Sequence, residues 1–360
     1  NEENLNTQGS PTGIFATAST LFVASGINLL QTIDIAAPAT LTTTASATPV
    51  TSGLAPRGRY AYATTGSGAG AVLRVYDLVN PEVGAGALPS VAVSAAIPFA
   101  NKVALSGNYA FVTTSQGKLQ VVDITNPLAP VLRGTGSSPS GSLNGLVVRG
   151  DYAYCAGSLG FLIFDVADPD LPVLPALLDA EGLSMIDVAI RGDRAYVTDG
   201  QYFQPNSLKI VDIGDPRNPA LVAKALTGAA IITGVELSGK WAFVTDGMPG
   251  AGLWAVDIDE SSPTFLTDYG PADTEAAGNS YAGALVLAGS WAFVLDDSVG
   301  LVQLDISNPV AYGTSPPATN AGFIAQTAAI GTSGLADVAL YGRYLVVADT
   351  SLGIKVVKLY

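Results

Sequence analysis

Carboxylates are the one chemistry-bearing group that this sequence repeats at a fixed phase. Seven aspartates close a phrase of aliphatic residues: Asp34, Asp77, Asp123, Asp165, Asp212, Asp257 and Asp305. Four more close a second phrase: Asp199, Asp246, Asp296 and Asp349. Carboxylates gathered in one place can hold Ca²⁺, which prefers several oxygen ligands. A pair of them can also hydrolyse a glycosidic bond, one acting as the acid and the other as base or nucleophile. Composition removes most other chemistry. The chain has no histidine and a single cysteine, Cys155. Ser-His and Cys-His nucleophiles cannot be built, the commonest zinc ligand is missing, and no intrachain disulfide can form.

The elements that position these aspartates are repeats. Successive Asp residues of the first set lie 43, 46, 42, 47, 45 and 48 residues apart. Upstream of each stands the second phrase, as in SGNYAFVTT (106–114), RGDYAYCAG (149–157), RGDRAYVTD (191–199) and SGKWAFVTD (238–246). Alternating apolar positions and β-branched residues favour strands over helices throughout. The third unit parses into four: 103–105, 109–113, 119–124 and 130–134. A Gly-containing tight turn joins the first two. Four short strands per ~40–45 residues is the signature of a propeller blade.

LKIVDI (208–213) and LQVVDI (119–124) carry a resemblance to the LVIVD-repeat β-propellers, which covers the chain from about residue 13 to its end. The resemblance implies bacterial or archaeal surface or secreted proteins. The expected fold is therefore all-β, an eight-bladed β-propeller of four-stranded antiparallel blades in one domain, 13–360. Residues 1–12 form an N-terminal segment that closes the last blade. The eighth unit calls for such a closure. Its third strand, IKVVKLY, has Lys358 at the Asp position, and no fourth strand follows. Residues 3–9 can supply the missing partner to an otherwise open edge.

That same eighth unit assigns the first set of aspartates. The Asp is present where a third-to-fourth-strand turn follows and missing where none does. Six of the seven are followed by Pro four residues on, and Asp257 departs, with Pro263 two places late. An Asp accepting local N–H groups, followed by a φ-fixing Pro, is turn chemistry.

Up-down-up-down strands put the first-to-second and third-to-fourth turns on one face, where the phrases are stereotyped. The second-to-third loops and the inter-unit connections share the other face, and there they vary. Recognition on a rigid frame sits on variable loops. The expected binding residues are Gln201, Tyr202, Phe203, Gln204 and Met248. The aromatic pair either stacks on a sugar or docks into a protein, or it covers a neighbouring blade. Asp199, Asp246, Asp296 and Asp349 make half of that rim acidic, with Asp187 and Asp337 nearer the central channel and Lys102 in the matching place of unit three. Two readings stand for the rim: a Ca²⁺ site, or Asx turns that Ser or Thr can replace.

Three local signals are set aside. RGD occurs at 149–151 and 191–193, on the stereotyped turn where other units read SGN, SGK or AGS. GSGAGA (66–71) resembles a phosphate loop with no helix to follow it. Cys155 replaces Val112, Val197 and Val244 and is expected in the core. Net charge is −14 and charged residues are only 13% of the chain. Such a surface repels phosphate backbones, so nucleic acid is not an expected partner, and no apolar run is long enough to span a membrane. The expectation is a non-catalytic extracellular or cell-surface module without a cofactor unless the acidic rim takes Ca²⁺. Its partner is a protein or glycan, or further copies of itself in an assembly. The alternative is a secreted hydrolase or lyase that uses carboxylates on a polysaccharide.

Overall fold

The computed structural model describes residues 3–5, 11–16, 20–25, 30–34, 42–47, 50–57, 60–65, 68–77, 90–179, 184–200, 206–229, 231–247, 252–273, 282–296, 300–312, 323–327, 335–341, 344–349 and 353–358. Side chains are described mainly over 91–179, 184–200, 206–226, 231–247 and 252–272. The described backbone is β-strand, with two 3-10 turns at Gly68–Gly70 and Pro309–Ala311.

The strands form eight four-stranded antiparallel sheets, numbered here in chain order. Sheet 3 is representative: Ala100–Ser106, Tyr109–Thr114, Lys118–Asp123 and Val131–Ser137 pair in that order. Its outer strand runs three residues beyond the expected 134, and its first strand starts three before the expected 103. The third strand stops at Asp123 because the Ile124 N–H turns away to the Asn108 carbonyl, at 2.8 Å. The same bond recurs from Val166 to Asp151, Ile213 to Asp193, Ile258 to Lys240 and Ile306 to Ser290. In the last sheet, Leu335–Tyr341, Tyr344–Asp349 and Gly353–Lys358 are joined by Glu3–Leu5, with Glu3 opposite Val356 and Leu5 opposite Ile354.

Period-2 alternation explains why the third-strand phrase is almost continuously apolar. Sheets 3 to 6 each pack between two others, so both of their faces are buried. In sheet 3, Ala110, Val112 and Val122 pack with Tyr62, Leu73 and Val75 of sheet 2. Phe111, Leu119 and Val121 point the other way, onto Leu143, Cys155, Leu162 and Phe164 of sheet 4. Like clusters join sheets 4 and 5, 5 and 6, and 6 and 7. Fully burying one such aliphatic or aromatic side chain contributes about 1.5–3 kcal/mol. Cys155 is fully buried in this core, as expected.

Polar side chains lace neighbouring sheets where their first strands meet. Thr64 Oγ1 donates to the Asn101 carbonyl at 3.0 Å, and Asn101 Nδ2 to Leu143 O at 3.0 Å. Asn144 Nδ2 donates to Met185 O at 2.9 Å and Thr233 Oγ1 to Ala282 O at 3.1 Å. These bonds tie the strand ends of neighbouring sheets to one another.

Candidate functional site

On the stereotyped face the recurrent Asp is a bracket in every copy whose side chain is described. Asp123, Asp165, Asp212, Asp257 and Asp305 each accept the N–H two residues on, from Thr125, Ala167, Gly214, Asp259 and Ser307. The distances run from 2.8 to 3.1 Å. The Thr125 N–H holds the Asp123 carboxyl below its usual range. The side chains of Asp34 and Asp77 lie outside those described.

The first turns of this face also hold the sheets together. Gly107, Gly150, Gly192, Gly239 and Gly289 take φ between 52° and 59°, the left-handed region that favours glycine. The Arg before the turn Gly reaches the turn of the next sheet. Arg57 donates to the Gly107 carbonyl, Arg149 to Gly192 and Arg191 to Gly239. Arg149 lies over the Tyr154 ring at 5.9 Å as well. Both RGD arginines are thus engaged in inter-sheet clasps. Ion pairs also join neighbouring sheets: Arg133 with Asp170, Arg217 with Asp165 and Arg194 with Glu260.

The opposite face carries the variable loops, and it is the candidate site. Gln201, Tyr202, Phe203, Gln204 and Met248 lie outside the described residues. Asp296 and Asp349 end described strands, but their side chains are not described. Asp199 and Asp246 occupy the same register position, opposite Met185 and Ile232 at the start of the first strand. Both are buried, at 0% and 4% exposure. Asp246 accepts the Ile231 N–H at 3.1 Å. Asp199 accepts the Ser207 N–H on Oδ1 and the Ser207 hydroxyl on Oδ2 at 3.0 Å, and it is ion-paired with Lys209. In sheet 3, Thr114 stands in the same place and its hydroxyl accepts the N–H groups of Gln116 and Lys118. The Thr114 hydroxyl and the Asp199 carboxylate thus both close a second-to-third-strand loop, while Asp246 holds the connection that enters its sheet. Among the described residues no three His, Cys, Asp or Glu side chains gather into a metal-holding group.

Two features of this face were not legible in the sequence. One is Lys209, buried at 1% in the middle of a strand and satisfied across the loop by Asp199. The other is Phe99, in the connection between sheets 2 and 3. It is 39% exposed and takes φ 60°, where a bulky side chain is disfavoured. Its N–H donates to Gly68 O at 2.7 Å, and its carbonyl accepts the Ser115 N–H at 3.0 Å. Within that phrase Gly68–Gly70 forms a 3-10 turn beside Phe99, followed by strand Val72–Asp77 and not by a helix. The phrase supplies a seat for an aromatic side chain.

Nearer the axis, the first strands carry Lys102, Asp187 and Glu236. Burial raises the Asp187 pKa, against the N–H groups of Val188 and Val235 and the charge of Lys102. Burial and the charge of Asp187 raise that of Glu236.

The model of the LVIVD repeat family matches residues 99–136, 140–177, 184–227, 232–274 and 279–313. No curated protein sequence matches the chain. Solved structures share the architecture. The computationally designed Ika8 protein superposes with a TM-score of 0.74 at 12% identity, over 99% of this chain and 98% of its own. Sqt1 from Chaetomium thermophilum gives a TM-score of 0.74 at 15% identity, over 99% and 98%. BamB from Moraxella catarrhalis gives 0.63 at 12% identity, over 99% and 95%. At these identities the likeness is one of fold, a β-propeller built of repeats.

Proposed function

We propose that this chain, which belongs to the LVIVD repeat family, is a non-catalytic interaction module of the cell exterior that binds a protein through its variable-loop face. The frame is read as an eight-bladed ring closed by Glu3–Leu5. Two contacts support that reading: Glu3–Leu5 pairs with Gly353–Lys358, and Leu335–Tyr341 of the last sheet lies beside Pro11–Ala16 of the first. The exterior location rests on family resemblance and on the low charge content. No helix among the described residues is long and apolar enough to cross a membrane.

Phe99 carries the binding reading. A solvent-exposed aromatic held in a disfavoured backbone conformation costs stability, and such costs cluster at sites of function. Aromatic anchors also dominate binding energy at protein interfaces. Phe99→Ala, and separately replacement of 201–204, should abolish partner binding while leaving the melting temperature within a degree or two. Retained binding in both variants would remove this face from the function. A glycan partner would show instead as carbohydrate binding lost with the same variants. A structural subunit would self-associate in light scattering without any ligand.

The hydrolase reading has one observation in its favour, the raised Asp187 and Glu236 carboxyls, since a general acid must stay protonated near neutrality. It requires polysaccharide turnover that Asp187→Asn or Glu236→Gln abolishes.

A further inference from the structure

We propose that Lys209 and Asp199 condense into an intramolecular amide that cross-links the second and third strands of sheet 5. Three observations carry this. First, the pair is buried: the Lys209 side chain is 2% exposed and that of Asp199 is 0%. Desolvation of two charges offsets their attraction, so condensation, which removes both charges, is favoured by a buried site. Second, the reacting groups are in contact. Lys209 Nζ meets Asp199 Oδ2, with Lys209 opposite Val197 and Asp199 two residues further along that strand. Third, Ser207 supplies the assistance that acyl chemistry needs. Its N–H donates to Asp199 Oδ1, where negative charge develops as Nζ adds to the carboxyl carbon. Its hydroxyl bridges Nζ, at 3.3 Å, and Oδ2, at 3.0 Å, and can carry a proton from the amine to the departing oxygen.

The step balances without a co-reactant. The Nζ–Cγ bond forms and the Cγ–Oδ2 bond breaks. Of the three ammonium protons one stays on the amide nitrogen and two leave with Oδ2 as water. One positive and one negative charge disappear together. Holding both groups in contact replaces the activation that an isolated carboxylate lacks.

The arrangement is not a general polar pocket of the repeat. At the position of Lys209, sheet 3 has Gln120 and sheet 6 has Trp254, and Gln120 Oε1 and Trp254 Nε1 are buried without a partner. Sheet 3 has Thr114 and not Asp at the strand end, while sheets 6 and 7 have the Asp but Trp254 and Val302 for the Lys. Only sheet 8 repeats both residue types in the same register: Lys355 lies opposite Val347, and Asp349 is two residues on.

Peptide mapping by mass spectrometry of the purified full chain tests the proposal. Trypsin should fail to cut after Lys209, and the peptide spanning 195–217 should be lighter than its sequence by one water, through treatment with mild alkali. Lys209→Arg and Asp199→Ala should each restore the full mass. Efficient cleavage after Lys209 at full mass in the wild type would overturn the cross-link. So would a water loss that alkali reverses, because that marks a succinimide at Asp199–Gly200. The wild-type result decides the matter even where a variant fails to fold.

Discussion

Replacing Asp257 with Asn should loosen the third-to-fourth-strand turn of sheet 6 in a pH-dependent way. Burial pushes the Asp257 carboxyl up, but Lys240, Thr264, Ser262 and the Asp259 N–H together outweigh it and hold the pKa at about 2, from 3.8. Lys240 Nζ, Ser262 Oγ and Thr264 Oγ1 all converge on Oδ2, at 2.6, 2.7 and 2.7 Å. A shift of that size is worth about 2 kcal/mol at neutral pH, at ~1.4 kcal/mol per unit. Because the folded pKa is depressed, the contribution is full above the unfolded value near 4 and is lost as pH falls through 2. Asn keeps the shape and removes the charge. Hydrogen exchange read by mass spectrometry over 257–273 should therefore run about 30-fold faster in Asp257→Asn at pH 7. The difference between variant and wild type should shrink between pH 4 and pH 2. Equal exchange at pH 7, or a difference that persists undiminished at pH 2, would refute the reasoning.

Four further outcomes are expected. Gly134→Ala should destabilise by about 1–3 kcal/mol in urea melts, since its Cβ would sit 2.4 Å from Pro172 Cδ and 2.5 Å from the Pro169 carbonyl. Arg149→Lys, which gives up the planar fork that reaches Gly192, should cost about 0.5–1.5 kcal/mol, and the same measurement checks it. Deleting residues 1–10 should lower the melting temperature markedly and promote association through the uncovered edge of Gly353–Lys358, seen by light scattering. Cys155, whose thiol burial pushes up, should resist thiol reagents in the native state and react only as sheet 4 opens.

The recurrent turn residues were legible in the sequence, and the side-chain contacts that join one sheet to the next were not. Asp123 and its counterparts could be assigned because an N–H two residues away is always in reach, whatever the fold does. The departure at Asp257 was visible too, although its cause was not. There the turn is longer, and Lys240, Ser262 and Thr264 organise it around the carboxylate where Pro would otherwise fix it. The clasp from Arg149 to Gly192 joins residues 43 apart in chain. It depends on the angle between two sheets, which no periodicity encodes. For the same reason the RGD phrase showed its turn in the sequence but not the partner of its arginine. Phe99 was missed because a positive φ at a non-glycine residue leaves no compositional mark.

Asp199 and Asp212 show why residue type and spacing fall short of an assignment. They stand thirteen residues apart in one sheet and carry the same carboxylate. Asp212, partly exposed at a turn, accepts the Gly214 N–H and pairs with Arg194, as a bracket should. Asp199, wholly buried, faces an amine at a strand position where sheets 4 and 7 have Leu162 and Val302. The repeat isolates this difference, because sheets 3, 4, 6 and 7 have no such Lys–Asp pair at the same register. What sheet 5 adds is one lysine in an apolar strand. A lysine there is costly unless the carboxylate opposite it neutralises or consumes its charge.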